Sequence, residues 1–181
     1  ALHSLGVRQL VAINAVGGIT PEMQPGRLVI PDQLIDYTWG REHTFDDGTG
    51  GSLMHIDFTE PYDLQLRLAL LDAADQAGIS YEPSGVHGVV QGPRLETAAE
   101  VRRMAADGCD IVGMTGMPEA ALARELGIAY APVCMVVNLA AGLGDVPLSL
   151  EMMQDILRRE AAVVRALLEA LLQALPAPSA E

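Results

Sequence analysis

Short apolar runs alternate with helix-periodic segments along this chain, and no other feature limits its fold as tightly. The runs 10–14, 28–30, 34–37, 85–91, 110–113 and 129–137 are strand-sized. Leu10-Val-Ala-Ile-Asn14 is apolar nearly without interruption, as expected of a strand covered on both faces. Pro31 suits an edge or a break. Leucines recur at helical spacing over 63–77 and stop at Gly78. Thr97 starts a helix that closes near Gly108, and Pro118 opens another to Gly127 from the first-turn position where proline is tolerated. Residues 150–175 form a long amphipathic helix with an alanine-rich face. This alternation predicts an α/β fold. No repeat or linker marks a second domain, so 1–175 reads as a single domain and 176–181 as a frayed tail.

Charge narrows the partners. Twenty-four acidic residues against 11 basic ones give a formal charge of −13. Such a surface repels nucleic acid and anionic membrane, and a bound anion must be held locally by backbone amides and hydroxyls. No apolar run is long enough to span a bilayer and no secretory signal is visible, so the expected location is cytoplasmic. Cys109 and Cys134 lack metal-ligand spacing and read as reduced core thiols. The chain opens on Ala1 rather than Met, and residues 1–10 read as a helix tail running into a strand. The expectation is that an N-terminal portion is absent.

Three polar punctuation points mark the ends of apolar segments: Gly92-Pro-Arg-Leu-Glu-Thr-Ala-Ala-Glu100, Gly113-Met-Thr-Gly-Met-Pro-Glu119 and Met135-Val-Val-Asn138. Strand ends are where α/β sheets grip ligands. A carboxylate, a methionine with an adjacent hydroxyl and a carboxamide would give one pocket a hydrogen-bonding end and an anion-binding end. Asn14-Ala-Val-Gly-Gly18 reads as a turn whose glycines permit close backbone approach. Residues 39–57, rich in Gly, Asp, Thr and His, read as a long excursion of the kind used at functional sites or interfaces.

These motifs, in this order, resemble the trimeric purine nucleoside phosphorylase and methylthioadenosine phosphorylase family over nearly the whole chain. The resemblance implies a mixed twisted sheet flanked by helices and cleavage of a nucleoside by phosphate, giving a free base and a pentose 1-phosphate. It implies neither metal nor organic cofactor, inorganic phosphate being a co-substrate, and a homotrimer. By the same resemblance Asn14 and Ala15 match the phosphate-contacting turn, Thr115 the hydroxyl donor to phosphate, and Met114 the residue packed on the ribose. Glycine-flanked amides and a hydroxyl suit an anion site in an acidic protein.

Asn138 matches the base-reading position, with Leu139 and Ala140 beside it. Methylthioadenosine phosphorylases resemble one another in placing Asp at the Asn138 position and again two residues later, where this chain has Ala140. A carboxamide can donate to N7 or to a 6-oxo group. Glu96, next to Leu95, matches the glutamate that accepts the N1 proton of 6-oxopurines. Adenine has no such proton, and the mismatch would cost about 1–3 kcal/mol, or ten- to hundredfold. Leu150 and Met153 fall near the 5′ substituent, where an apolar lining suits a methylthio group. His55 matches a segment that reaches the neighbouring subunit's site. The combination most resembles the methylthioinosine phosphorylase subgroup, with Glu96 and Leu150 as specificity determinants. Inosine/guanosine and methylthioadenosine phosphorylases, and a water-using nucleosidase, are the rival activities.

The family's N-terminal glycine-rich phosphate loop and its Arg-His pair have no match here, and Arg8 and Arg41 do not stand in for the pair. A fragment is the preferred reading, a truncated and inactive oligomeric protein the other. Blander roles compete at each position: methionine is often core filler, Glu96 could cap the following helix, Asn138 could satisfy a turn, and Glu119 could simply start its helix. His43 and Asp57 carry no assigned role.

Overall fold

The computed structural model describes residues 1–49, 53–144 and 149–174, the side chain of Leu150 excepted. Seven strands and four helices follow in chain order: β1 (Gln9–Gly18), β2 (Leu28–Val29), β3 (Gln33–Asp36), α1 (Leu64–Gln76), β4 (Tyr81–Glu82), β5 (Val86–Val89), α2 (Ala98–Ala106), β6 (Ile111–Gly113), α3 (Glu119–Glu125), β7 (Ala129–Leu139) and α4 (Leu150–Ala174). A single 3-10 turn, His3–Leu5, precedes β1. The strands make one sheet in the order β3-β5-β6-β1-β7-β2-β4. Pairing is antiparallel between β1 and β6 and between β2 and β7, and parallel elsewhere, so the sheet is mixed as expected.

Local chemistry sets the helix ends. The Asp63 carboxylate accepts from the amide of Leu66 at 2.8 Å and starts α1. At α2, Thr97 and Glu100 form a reciprocal capping box: Glu100 N–H donates to Thr97 Oγ1, and Thr97 N–H to the Glu100 carboxylate. Pro118 is the residue before α3, one position earlier than expected. Gly78 and Gly127 take the left-handed conformation just past α1 and α3.

The main core lies where α1 and α4 cover one face of β7. Leu66, Leu70, Ala131, Val133, Met135 and Leu167 are fully or almost fully buried there. The other face of β7 turns Tyr130 toward α3 and Cys134 and Val136 toward Val16 and Ile111. Both cysteines are buried and unbonded to each other. Burial pushes the Cys134 thiol up to about 12, so it stays protonated. Among the described residues no helix is long and apolar enough to cross a membrane.

One element departs from its expected form. Residues 14–18 are not a turn: they continue β1 alongside β7 for its full length. The glycines serve packing between chains. A Cβ on Gly18 would lie 1.8 Å from the carbonyl oxygen of Met23, and one on Gly17 would crowd Asn138 Nδ2 at 3.2 Å. Strand β4, in the polar stretch Ser80-Tyr-Glu-Pro-Ser84, was not expected and exists only by pairing with β2. The excursion over 39–57 carries no helix or strand across its described residues. The expected tail, 176–181, lies outside the described residues.

Candidate active site

The site starts from a seam in the sheet. Strands β1 and β6 pair only at Gly17↔Val112 and Gly18↔Ile111 and then part. Beyond the paired residues, a Cβ on Gly113 would sit 3.1 Å from Val16 Cγ1 and one on Gly116 3.7 Å from Asn14 Nδ2, so the segment that carries Met114 and Thr115 stays close to the β1 edge that carries Asn14 and Ala15. A Cβ on Gly92 would strike Met114 Sδ at 2.6 Å, which sets the Gly92 turn against Met114. Ala15 and Thr115 are exposed, while Asn14 is buried at 4% and its Nδ2 has no hydrogen-bond partner. The chemistry on offer to an anion here is one side-chain amide and one exposed hydroxyl.

Beneath this seam lies His87 of β5, fully buried. Its ring rests against Gly113, whose added Cβ would come within 2.8 Å of Nε2, and neither ring nitrogen has a partner. Burial pushes the imidazole down to about 4, so it is neutral at ordinary pH. Nothing in the apolar run 85–91 announces His87, whose place depends on the strands packed around it.

Asn138 reaches its place through a bulge. Register between β1 and β7 shifts after Val16↔Val136, so that Gly17 faces Asn138 and Val137 is the extra residue. A bulge re-aims the side chains that follow it. Asn138 is half-buried, and its Nδ2 donates to the Leu139 carbonyl at 2.7 Å. An amide nitrogen carries two N–H groups, which leaves one of them and the side-chain oxygen for other work. Ala140 is buried against Val101 and Met104 of α2, and a Cβ on Gly142 would strike that of Ala98 at 2.5 Å. The chain after β7 and the start of α2 are thus in contact.

Glu96 stands just ahead of α2. Because Thr97 and Glu100 complete the capping box, the helix end makes no demand on the Glu96 carboxylate. Burial raises the Glu96 carboxyl above its ordinary value, its own backbone amide and Arg94 opposing the rise and the neighbouring Glu100 adding to it. Arg94 itself is paired with Glu100 at 2.7 Å. Glu96 lines a cavity of about 320 Å³ together with Tyr37, Trp39, Gln91, Gly92 and Met104. Asn138 is not in that lining. Trp39, the one tryptophan, is 72% exposed and was singled out only as the start of the excursion.

The remaining expected residues are more dispersed. Leu95 is exposed, as is His55 in the irregular segment ahead of α1. Met153 packs on the core between α1, α4 and β7. Leu150 begins α4, and its side chain lies outside the described residues. Glu119 opens α3 and accepts from the Tyr130 hydroxyl at 3.2 Å, which suits a structural role. His43 lies 3.7 Å from the Asp36 carboxylate, and Asp57 accepts from the Thr59 amide. Arg41, set aside in the sequence, proves heavily engaged: its guanidinium donates to the carbonyls of Val90, Gln91, Met114 and Met117 and to the Gln91 side chain.

Comparisons with known proteins bear on this geometry. A family model described as the phosphorylase superfamily matches residues 1–173. A Xylella fastidiosa protein named "Probable S-methyl-5'-thioinosine phosphorylase" is 56% identical over 145 residues, covering 80% of this chain and 61% of that protein. A Pyrococcus furiosus protein named 6-oxopurine nucleoside phosphorylase is 42% identical over 181 residues, covering 97% of this chain and 68% of that protein. The solved structure of methylthioadenosine phosphorylase from Schistosoma mansoni, in complex with adenine, superposes with a TM-score of 0.90 at 30% identity, over 95% of this chain and 67% of that one. The chain thus spans about three-fifths of the length of the Xylella relative.

Proposed function

The chain belongs to the phosphorylase superfamily, and from that membership we propose that the protein catalyses phosphorolysis of a 6-oxopurine nucleoside. The favoured substrate is S-methyl-5'-thioinosine, giving hypoxanthine and 5-methylthioribose 1-phosphate, a reaction of purine salvage. The observation that carries this reading is Glu96, a half-buried carboxylate that no helix end claims and that lines a cavity beside the Gly92 turn. The names of the Xylella and Pyrococcus relatives support it.

In this reading Thr115, with the Asn14–Ala15 edge, holds inorganic phosphate as co-substrate, and Met114 lies against the sugar. The glycosidic bond breaks toward an oxocarbenium-like pentose while phosphate attacks C1′ from the opposite face. Phosphate stabilises the positive charge on the sugar, and the Asn138 amide stabilises the negative charge on the departing purine. Both interactions strengthen only as charge develops, which is what accelerates a chemical step. Glu96 accepts a hydrogen bond from N1–H of the base, and Leu139 and Ala140 back the base-reading position. Leu150 and Met153 line the 5′ substituent, and Leu95 contributes to the substrate site beside Glu96. No cofactor or metal takes part. The working form is a homotrimer in the cytoplasm, with His55 contributed to a neighbouring subunit's site.

Initial rates with methylthioinosine, inosine, guanosine and methylthioadenosine, each with and without phosphate, test the proposal. The expected outcome is phosphate-dependent release of hypoxanthine with methylthioinosine preferred. Preference for the adenine compound would overturn the role of Glu96, and turnover without phosphate would make the protein a hydrolase.

A further inference from the structure

We propose that Arg41 is a positioning residue that locks the base-side turn and the phosphate-side turn at a fixed separation. This rests on the phosphorolysis reading for its kinetic consequence, though not for its geometry. The guanidinium sits between two chain segments that are far apart in sequence. On one side Nη2 donates to the carbonyls of Val90 at 3.3 Å and Gln91 at 3.0 Å, and Nε donates to Gln91 Oε1 at 3.2 Å. These residues lead directly into Gly92 and Glu96. On the other side Nη2 donates to the Met114 carbonyl at 3.1 Å and Nη1 to that of Met117, at the two ends of the turn that carries Thr115.

Three features make this a clamp. Arg41 is half-buried, and none of the ion pairs among the described residues includes it, so its charge is met by carbonyl dipoles alone. Its donors form a rigid planar fork, which an ammonium on a flexible stem cannot reproduce across four carbonyls. The Gln91 side chain also accepts from the Trp39 amide at 3.2 Å, so the same cluster fixes the loop that brings Trp39 to the Glu96 cavity. Loss of the fork would free both turns at once. Small displacements of positioned groups are costly to catalysis.

The test compares Arg41→Lys and Arg41→Met with the wild-type protein by amide hydrogen exchange and by steady-state kinetics. Exchange is expected to rise at least tenfold in segments 90–96 and 113–117 in both variants, while α1 exchanges as before. The KM values for phosphate and for nucleoside should rise together, by about five- to tenfold each, and lysine should not rescue. A lesion confined to one turn would raise one KM only. Unchanged exchange in either segment, a rise in KM for one co-substrate alone, or full rescue by lysine would overturn the clamp. Absence of phosphorolysis in the wild-type protein would remove the proposed activity and leave the exchange result to decide the clamp.

Discussion

The two ends of the candidate site are built by different means. At the proposed phosphate side, Asn14, Ala15 and Thr115 are placed by backbone: a strand pair that parts after two residue pairs, glycines that let strands touch, and a buried histidine beneath. At the proposed base side, Asn138 is set by the β7 bulge, but Glu96, Trp39 and the residues after Leu139 belong to loops, and side chains such as Thr97, Glu100 and Arg41 hold the Glu96 and Trp39 loops. Register tolerates little, because each position in a ladder commits its neighbours. Loops leave room for substitution, so under the proposed function selectivity among related nucleosides is best sought at the base side, and the common chemistry at the phosphate side.

Four measurements would sharpen or break that contrast. Asn138→Ala should lower kcat/KM by roughly 100-fold, equivalent to about 3 kcal/mol for one preorganised donor. A near-normal kcat/KM would remove Asn138 from leaving-group stabilisation. Gly18→Ala places a Cβ 1.8 Å from a carbonyl oxygen. Overpacking of this kind costs roughly 1–3 kcal/mol, read as a lower denaturant midpoint. A midpoint equal to that of the wild type would show that the seam is softer than its register implies.

His87 gives the third measurement. Its imidazole titrates at about 4 in the folded chain against an ordinary value of 6.5. Between these values the unfolded chain binds a proton that the folded chain refuses, so stability is full above pH 6.5 and falls as the pH drops toward 4. The loss attributable to this group is roughly 2 kcal/mol between pH 7 and pH 5. His87→Gln should flatten that part of the profile, and a slope unchanged from the wild type would mean the ring is hydrated. The smallest effect is expected from Thr115→Val, about tenfold in the KM for phosphate, from loss of one hydrogen bond to a charged group worth about 1.5 kcal/mol. No change in that KM would leave the seam without its hydroxyl.

The contrast also explains what could be read in the residues. Leucine spacing announces α1 and Thr97 announces α2, because a helix face and a helix cap are local patterns. Thr115 and Met114 stood out as polar punctuation after an apolar strand. Gly17 and Gly18 were misread as a turn: glycine suits both turns and tight packing, and only the β7 and Met23 contacts decide between them. Strand β4 has no apolar pattern of its own. Arg41 and His87 were missed for a similar reason, since their significance lies in partners tens of residues away or in having none. Sheet order and the bulge before Asn138 follow from pairings that no local pattern encodes.

Recognition of a 6-oxopurine by the Glu96 carboxylate is the claim on which the rest depends. It is tested most directly by the ratio of kcat/KM for methylthioinosine to that for methylthioadenosine, in saturating phosphate, for the wild-type protein and Glu96→Gln. The account predicts that the wild type favours methylthioinosine and that the ratio falls by about ten- to hundredfold in the variant, because an amide can donate to the unprotonated N1 of adenine. An identical ratio in the two proteins would contradict it.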